Sequence, residues 1–217
     1  MNQEQCAYCD QPATTRDHVR PKKLFTPPLP ANLITVPACG ECNNRASSDD
    51  ELFRNELSIM AGSFGESPNA AERLRPTMRG IRRNRATLVR MVTGAQLVER
   101  YSSGGLYLGH GFAVPVAPGV QQRVITRIVR GLYWHHFGAA LGTDAPVTLV
   151  FIDRTKPQWR HALEPLLKLR HVLIGNGQTF QYLCGQASDD PKFSLWLLIF
   201  FKGTSEQIVL AHTRGSQ

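Results

Sequence analysis

No apolar run in this sequence is longer than the nine residues 193–201, FSLWLLIFF, and that run contains Ser194. A helix that crosses a bilayer needs about 20 apolar residues, so no such span and no membrane partner is expected. The first residues, MNQEQCAYCD, lack the basic segment and apolar run of a secretory leader. The expectation is a soluble, cytoplasmic protein. Acidic residues are also scarce, with 17 Asp and Glu against 25 Lys and Arg, for a formal net charge of +8. That excess points to a polyanionic partner, most simply nucleic acid, over an acidic small molecule. Its plainer reading is a solubilising surface. Internal repeats and low-complexity tracts are absent. What is present is enough apolar material for a core: 42% hydrophobic against 19% charged residues excludes a disordered chain. A length of 217 residues bounds the domain count at one or two.

Cysteine is used sparingly and in a pattern. Four of the five cysteines form two Cys-x-x-Cys pairs, Cys6/Cys9 and Cys39/Cys42. Disulfides do not persist in a reducing cytosol. Two such knuckles can instead supply four thiolates to one tetrahedral zinc ion, a closed structural site with no position left for chemistry. A redox role for one pair would leave the second without a purpose. Cys184, in the strand-like QTFQYLCGQ, reads as a core thiol.

Residues 1–45 are proline-rich and show little periodicity. Such a segment cannot bury enough apolar surface alone, and a structural zinc ion would supply the missing stability. Short strands are expected at 15–19 and 33–36. A helix follows near the second knuckle, with Ser48 and Glu51 reading as a capping box and the helix ending at Gly62. Asp49, Asp50 and Glu51 then read as charges at a helix N-terminus. Residues 63–68, SFGESP, read as a linker. Residues 73–91 hold seven arginines, and no acid lies between Glu72 and Glu99. This helical stretch suits a phosphate backbone, which guanidinium groups bind bidentately; Arg79, Arg82, Arg83 and Arg85 are its candidate contacts. The plainer reading is a solvated helix face.

The second half alternates differently. Two strands joined at 102–105 are expected, then an amphipathic helix with Val120, Val124, Ile128 and Leu132 on one face and Arg123, Arg127 and Arg130 on another. A strand near 146–153, a helix near 158–170 and strands near 171–175, 179–185, 194–201 and 207–212 follow. GNG at 175–177 reads as a hairpin turn. The fold class is α+β with a mainly antiparallel sheet. His135 and His136 point about 100° apart on their helix and read as core or interface residues rather than a chelating pair.

The chemistry lies in CAYC, RDHVRP, NLITVP and CGECNNR, over the first quarter of the chain. Together these resemble the HNH endonuclease family in its zinc-knuckle, H-N-N form. The resemblance implies a ββα-metal module over 1–62; the residues beyond it read as a basic helical linker at 63–95 and an α+β domain of unassigned role at 96–217. By the same resemblance, His18 matches the general base and Asn32 the middle asparagine that braces the loop. Asn43 stands where the family has a metal ligand, and Asp17 where an acid often shares the cation. Oxygen donors of this kind suit Mg²⁺ or Mn²⁺ rather than a soft metal. Lys22 and Lys23 lie where substrate would pass. Three features depart from the family pattern. Asn32 and Asn43 are farther apart than usual, PKKLFTPPLP replaces a glycine-rich loop, and the last motif position is Asn rather than His.

Phosphodiester hydrolysis needs a base to activate water and a cation to neutralise developing charge. A neutral imidazole suits the first task. Neighbours in a regular strand point to opposite faces, so Asp17 and His18 can share a site only at a strand end or bulge. The expectation is therefore a DNA endonuclease carrying structural zinc and a catalytic Mg²⁺ or Mn²⁺. The alternative is a non-catalytic zinc module that binds nucleic acid or a protein. Oligomeric state is left open.

Overall fold

The computed structural model describes residues 4–62, 68–101, 105–153, 159, 163–203 and 206–214. Strands β1 (Thr15–His18) and β2 (Thr35–Ala38) pair antiparallel, with Asp17 opposite Val36 and His18 opposite Thr35. Helix α1 (Gly40–Gly62) begins inside the second knuckle, where the Asn43 amide donates to the Cys39 carbonyl at 3.1 Å. Ser48 is therefore no cap. The turn that carries the cysteines is already helical, so Asp49, Asp50 and Glu51 lie in mid-helix rather than at its N-terminus.

The arginine-rich stretch forms two helices, α2 (Pro68–Arg83) and α3 (Arg85–Thr93). They break at Asn84, whose side chain accepts from the Thr87 amide at 3.2 Å and caps α3. Strands β3 (Gln96–Tyr101) and β4 (Tyr107–Ala113) pair only with each other and leave Leu97, Tyr101, Leu108 and Phe112 exposed. The expected linker at 63–68 and the β3–β4 connection fall, for 63–67 and 102–104, outside the described residues.

Helix α4 (Val120–Phe137) buries Val120, Val124, Ile128 and Leu132, the stripe that 3.6-residue spacing predicts. Strands β5 (Val147–Ile152), β6 (Arg170–Ile174), β7 (Phe180–Gln186), β8 (Ser194–Phe200) and β9 (Gln207–Thr213) form a sheet in the order β5-β9-β8-β7-β6, antiparallel at every pairing. The fold is α+β. The helix expected near 158–170 lies partly outside the described residues; its described part is the 3-10 turn Glu164–Lys168. Gly175 and Gly177, at φ of 60° and 74°, take the left-handed backbone that the β6–β7 turn requires.

Period-2 alternation sends the two faces of the sheet to different clusters. On β8, Trp196, Leu198 and Phe200 enter the larger core, while Leu197 and Ile199 join a smaller one with Leu183 and Ile208. The larger core runs from Cys6 through Val19, β2, α1 and α4 to Ala211. Phe53 of α1 meets Phe200 of β8 edge-on, with centroids 5.5 Å apart. Gly131 lets α4 approach closely, since a Cβ there would meet both γ-methyls of Val19 at 3.0 Å. Among the described residues no helix is long and apolar enough to cross a membrane.

Candidate functional site

The two knuckles bring four sulfurs together. The Sγ atoms of Cys6, Cys9, Cys39 and Cys42 all lie within 4.8 Å of one another. Cys9 Sγ is 3.7 Å from Cys39 Sγ and 3.6 Å from Cys42 Sγ. Sulfurs set tetrahedrally at about 2.3 Å from zinc are about 3.8 Å apart, so the donor set matches that ion. The amides of Tyr8 and Cys42 point at Cys6 Sγ and Cys39 Sγ, at 3.5 and 3.4 Å, as donors that a thiolate accepts. With four cysteines available, no position is left for substrate, and the cluster has the character of a structural zinc site.

Beside it lies a cleft of about 660 Å³ lined by β1, the following turn and α1. Its walls include Asp17, His18, Lys22, Lys23 and Asn43, together with Asp50 and with Arg54, which the sequence had not linked to them. His18 is the last residue of β1, which is how it and Asp17 come to line one cleft. Burial, then the charge of Lys22, push the imidazole below its ordinary pKa against the pull of Asp17, and Arg20 adds to the effect. His18 is therefore neutral at pH 7 and able to accept a proton. Asn43 donates from Nδ2 to Thr15 Oγ1 at 3.2 Å.

Asn32 is elsewhere. Its Nδ2 donates to the Leu173 carbonyl at 2.9 Å and its Oδ1 accepts from the Gly175 amide at 2.8 Å. It fastens the proline-rich loop to the β6–β7 turn and is not among the cleft's lining residues.

Asp17 is tied to α4. Its Oδ2 accepts from Tyr8 Oη at 3.0 Å and from Arg127 Nη1 at 2.7 Å. Arg127 Nη2 donates to Asp50 Oδ1. Arg123, one turn earlier, forks onto Asp49 at 2.6 and 2.9 Å. Burial opposes the Arg127 charge, but Asp50 and Asp17 outweigh it and hold the guanidinium above its ordinary pKa. Both contacts to Asp17 take the same oxygen; among the described residues its Oδ1 accepts no hydrogen bond.

The arginine helices present another surface. Arg79, Arg82, Arg83 and Arg85 are exposed, and none of them is in an ion pair among the described residues. His135 is exposed, whereas His136 packs inward, its Nε2 2.9 Å from Tyr182 Oη. Cys184 is buried in β7, as expected.

Sequence reasoning missed Arg127 and Tyr8 as members of this site, and it read the acids of α1 first as helix N-terminal charges, with metal positioning by one of them as the lesser alternative. One signal was present: Asp49-Asp50 on one helix and Arg123/Arg127 at i, i+4 on another are complementary stripes. Replacing Arg127 by Ala leaves Asp17 and Asp50 without their counter-charge. Removing one partner of a buried pair costs about 3–5 kcal/mol, and denaturant unfolding of Arg127→Ala should show a loss of that order. The cysteine cluster predicts about one zinc ion per chain. Elemental analysis of Cys39→Ser should show the metal lost, together with the ordered structure around it. Comparison with known families, with curated proteins and with solved structures finds no match for this chain.

Proposed function

We propose that the chain is a metal-dependent endonuclease of the HNH type, hydrolysing phosphodiester bonds and acting most simply on double-stranded DNA. One observation carries the reading: His18, Asp17 and Asn43 line a single cleft next to a four-cysteine cluster. The succession of β1, β2 and α1 around that cluster supports a ββα-metal module.

In this reading His18 takes a proton from the attacking water, a role its neutral imidazole suits. Asp17 Oδ1 and the amide oxygen of Asn43 are the donors that would hold one Mg²⁺ or Mn²⁺, a hard cation that favours oxygen. When bound, that cation supplies charge neutralisation at the phosphate. Arg127 and Tyr8 grip Oδ2 of Asp17 and so set which oxygen is left for the cation. Lys22 and Lys23, exposed on the wall of the cleft, contact the strand backbone. The α2 and α3 arginines extend the contact over the duplex. Asn32 braces the loop that follows β1 rather than touching substrate.

A plasmid-nicking assay with Mg²⁺ tests this. His18→Ala should slow cleavage by about 10²–10⁴ while zinc content and DNA affinity stay near wild type. The defect of Asn43→Ala should shrink as Mg²⁺ or Mn²⁺ is raised, and that of His18→Ala should not. Absence of cleavage by wild type with every divalent ion tried would replace this reading by a non-catalytic zinc module that binds nucleic acid. A separate measurement addresses the arginines. If about five phosphates are contacted, log affinity should fall with log salt at a slope of about −4.5. Replacing Arg79, Arg82 and Arg83 together by Ala should flatten that slope, and an unchanged slope would move the binding face elsewhere.

A further inference from the structure

Among the described residues, the charged side chain of Arg20 has no hydrogen-bond partner. It is 2% exposed, and its Nε, Nη1 and Nη2 are all buried with no acceptor. The Phe25 ring lies 4.6 Å and the Phe180 ring 4.7 Å from Cζ. Two rings from opposite ends of the chain thus stack on the guanidinium and contribute cation–π attraction. Ring faces do not satisfy the five N–H donors, which point outward from the edge of the fork. A buried ionised group without an acceptor is among the costliest arrangements in a folded protein. Elsewhere in this chain arginine is treated otherwise: Arg127 grips two carboxylates, and Arg130 donates to four carbonyls.

Arg20 also lines the cleft, in company with Arg16, Lys22, Lys23 and Arg54. Of the acids there, Asp17 and Asp50 are already bound to Arg127, and Glu51 sits 3.9 Å from Arg54. Among the described residues no acid of the cleft is left to accept from Arg20, and an anion from outside the chain can fill that place. A planar fork matches the paired oxygens of phosphate, and the surrounding cations favour a multiply charged group or a polyanion over a lone carboxylate.

We propose that Arg20, packed against the rings of Phe25 and Phe180, is the receptor for a phosphate oxyanion in this cleft, its guanidinium binding two oxygens. A backbone phosphodiester and free phosphate share this chemistry. That the occupant is a phosphate of a nucleic-acid strand rests on the nuclease reading; the receptor itself does not.

Calorimetric titration of the full-length, zinc-loaded protein without added divalent ion tests it, with inorganic phosphate and the dinucleotide dTpdT as separate probes. Wild type is compared with Arg20→Met and Arg20→Lys. Methionine fills the slot between the rings without charge, and exchanging an uncompensated buried charge for an apolar group is neutral or stabilising. Arg20→Met should therefore unfold at or above the wild-type temperature. Lysine keeps the charge but loses the fork, so it carries the test if the methionine variant does not fold. Wild type should bind at least one probe, and both variants should bind it about tenfold or more weakly. Binding of dTpdT identifies the strand as the source, and binding of inorganic phosphate alone identifies free phosphate; either upholds the receptor. Equal affinity of all three proteins for both probes, or no binding of either by wild type, overturns it. Neither titration involves cleavage. A protein that binds through Arg20 but cuts nothing loses only the nuclease reading, and one that cuts while Arg20 is indifferent to phosphate loses only the receptor.

Discussion

The contact on which the rest of the site depends is the one between Arg127 and two carboxylates. Its side chain is 13% exposed, and it reaches from α4 to Asp17 on β1 and Asp50 on α1. Moving three charged groups out of water is costly, and the cost is offset only when the geometry satisfies all of them. Here the fork spends one nitrogen on each acid, and Tyr8 adds a second hydrogen bond to Oδ2 of Asp17. The arrangement fixes how α4 lies against the strand pair and α1. It also fixes the orientation of Asp17, since the carboxylate oxygen not gripped is the one left for other partners.

The N-terminal segment is therefore more than a metal-stapled appendage. Cys6, Ala7, Val19, Leu24, Phe25 and Val36 bury themselves in the same core as Phe180, Tyr182, Trp196 and Phe200. Four sulfurs set the local path of the chain at the knuckles, while the apolar surface that stabilises the segment comes from α4 and the sheet. Asn32 adds a clasp between the loop and the β6–β7 turn. The sheet shapes the neighbourhood of the cleft directly, because Phe180 of β7 forms one side of the slot around Arg20.

Asp17, Asp49 and Asp50 are committed to arginines of α4. Arg79, Arg82, Arg83 and Arg85 of α2 and α3 lie at the surface and form no ion pair among the described residues. The net charge of +8 is accordingly not spread evenly. A surface of this kind attracts polyanions over a distance set by the Debye length, about 8 Å at physiological ionic strength.

The sequence by itself determined what depends on near neighbours. Knuckle spacing put the four cysteines in one cluster, short apolar runs between turn residues located the strands of the large sheet, and the 3.6-residue stripe of α4 identified its buried face. His18, Asp17 and Asn43 were singled out by the resemblance that CAYC, RDHVRP, NLITVP and CGECNNR carry. Local reading failed where a helix start was hidden in the knuckle, and Ser48 then imitated a cap that tertiary structure had no use for. It also failed for every contact that closes a long loop. Arg127 and Asp17 are separated by 110 positions, and Asn32 and Leu173 by 141. An arginine that will bridge two buried acids and one that will face solvent have the same local pattern. Only the folded chain, by excluding water from one and not from the other, decides which charge must find a partner.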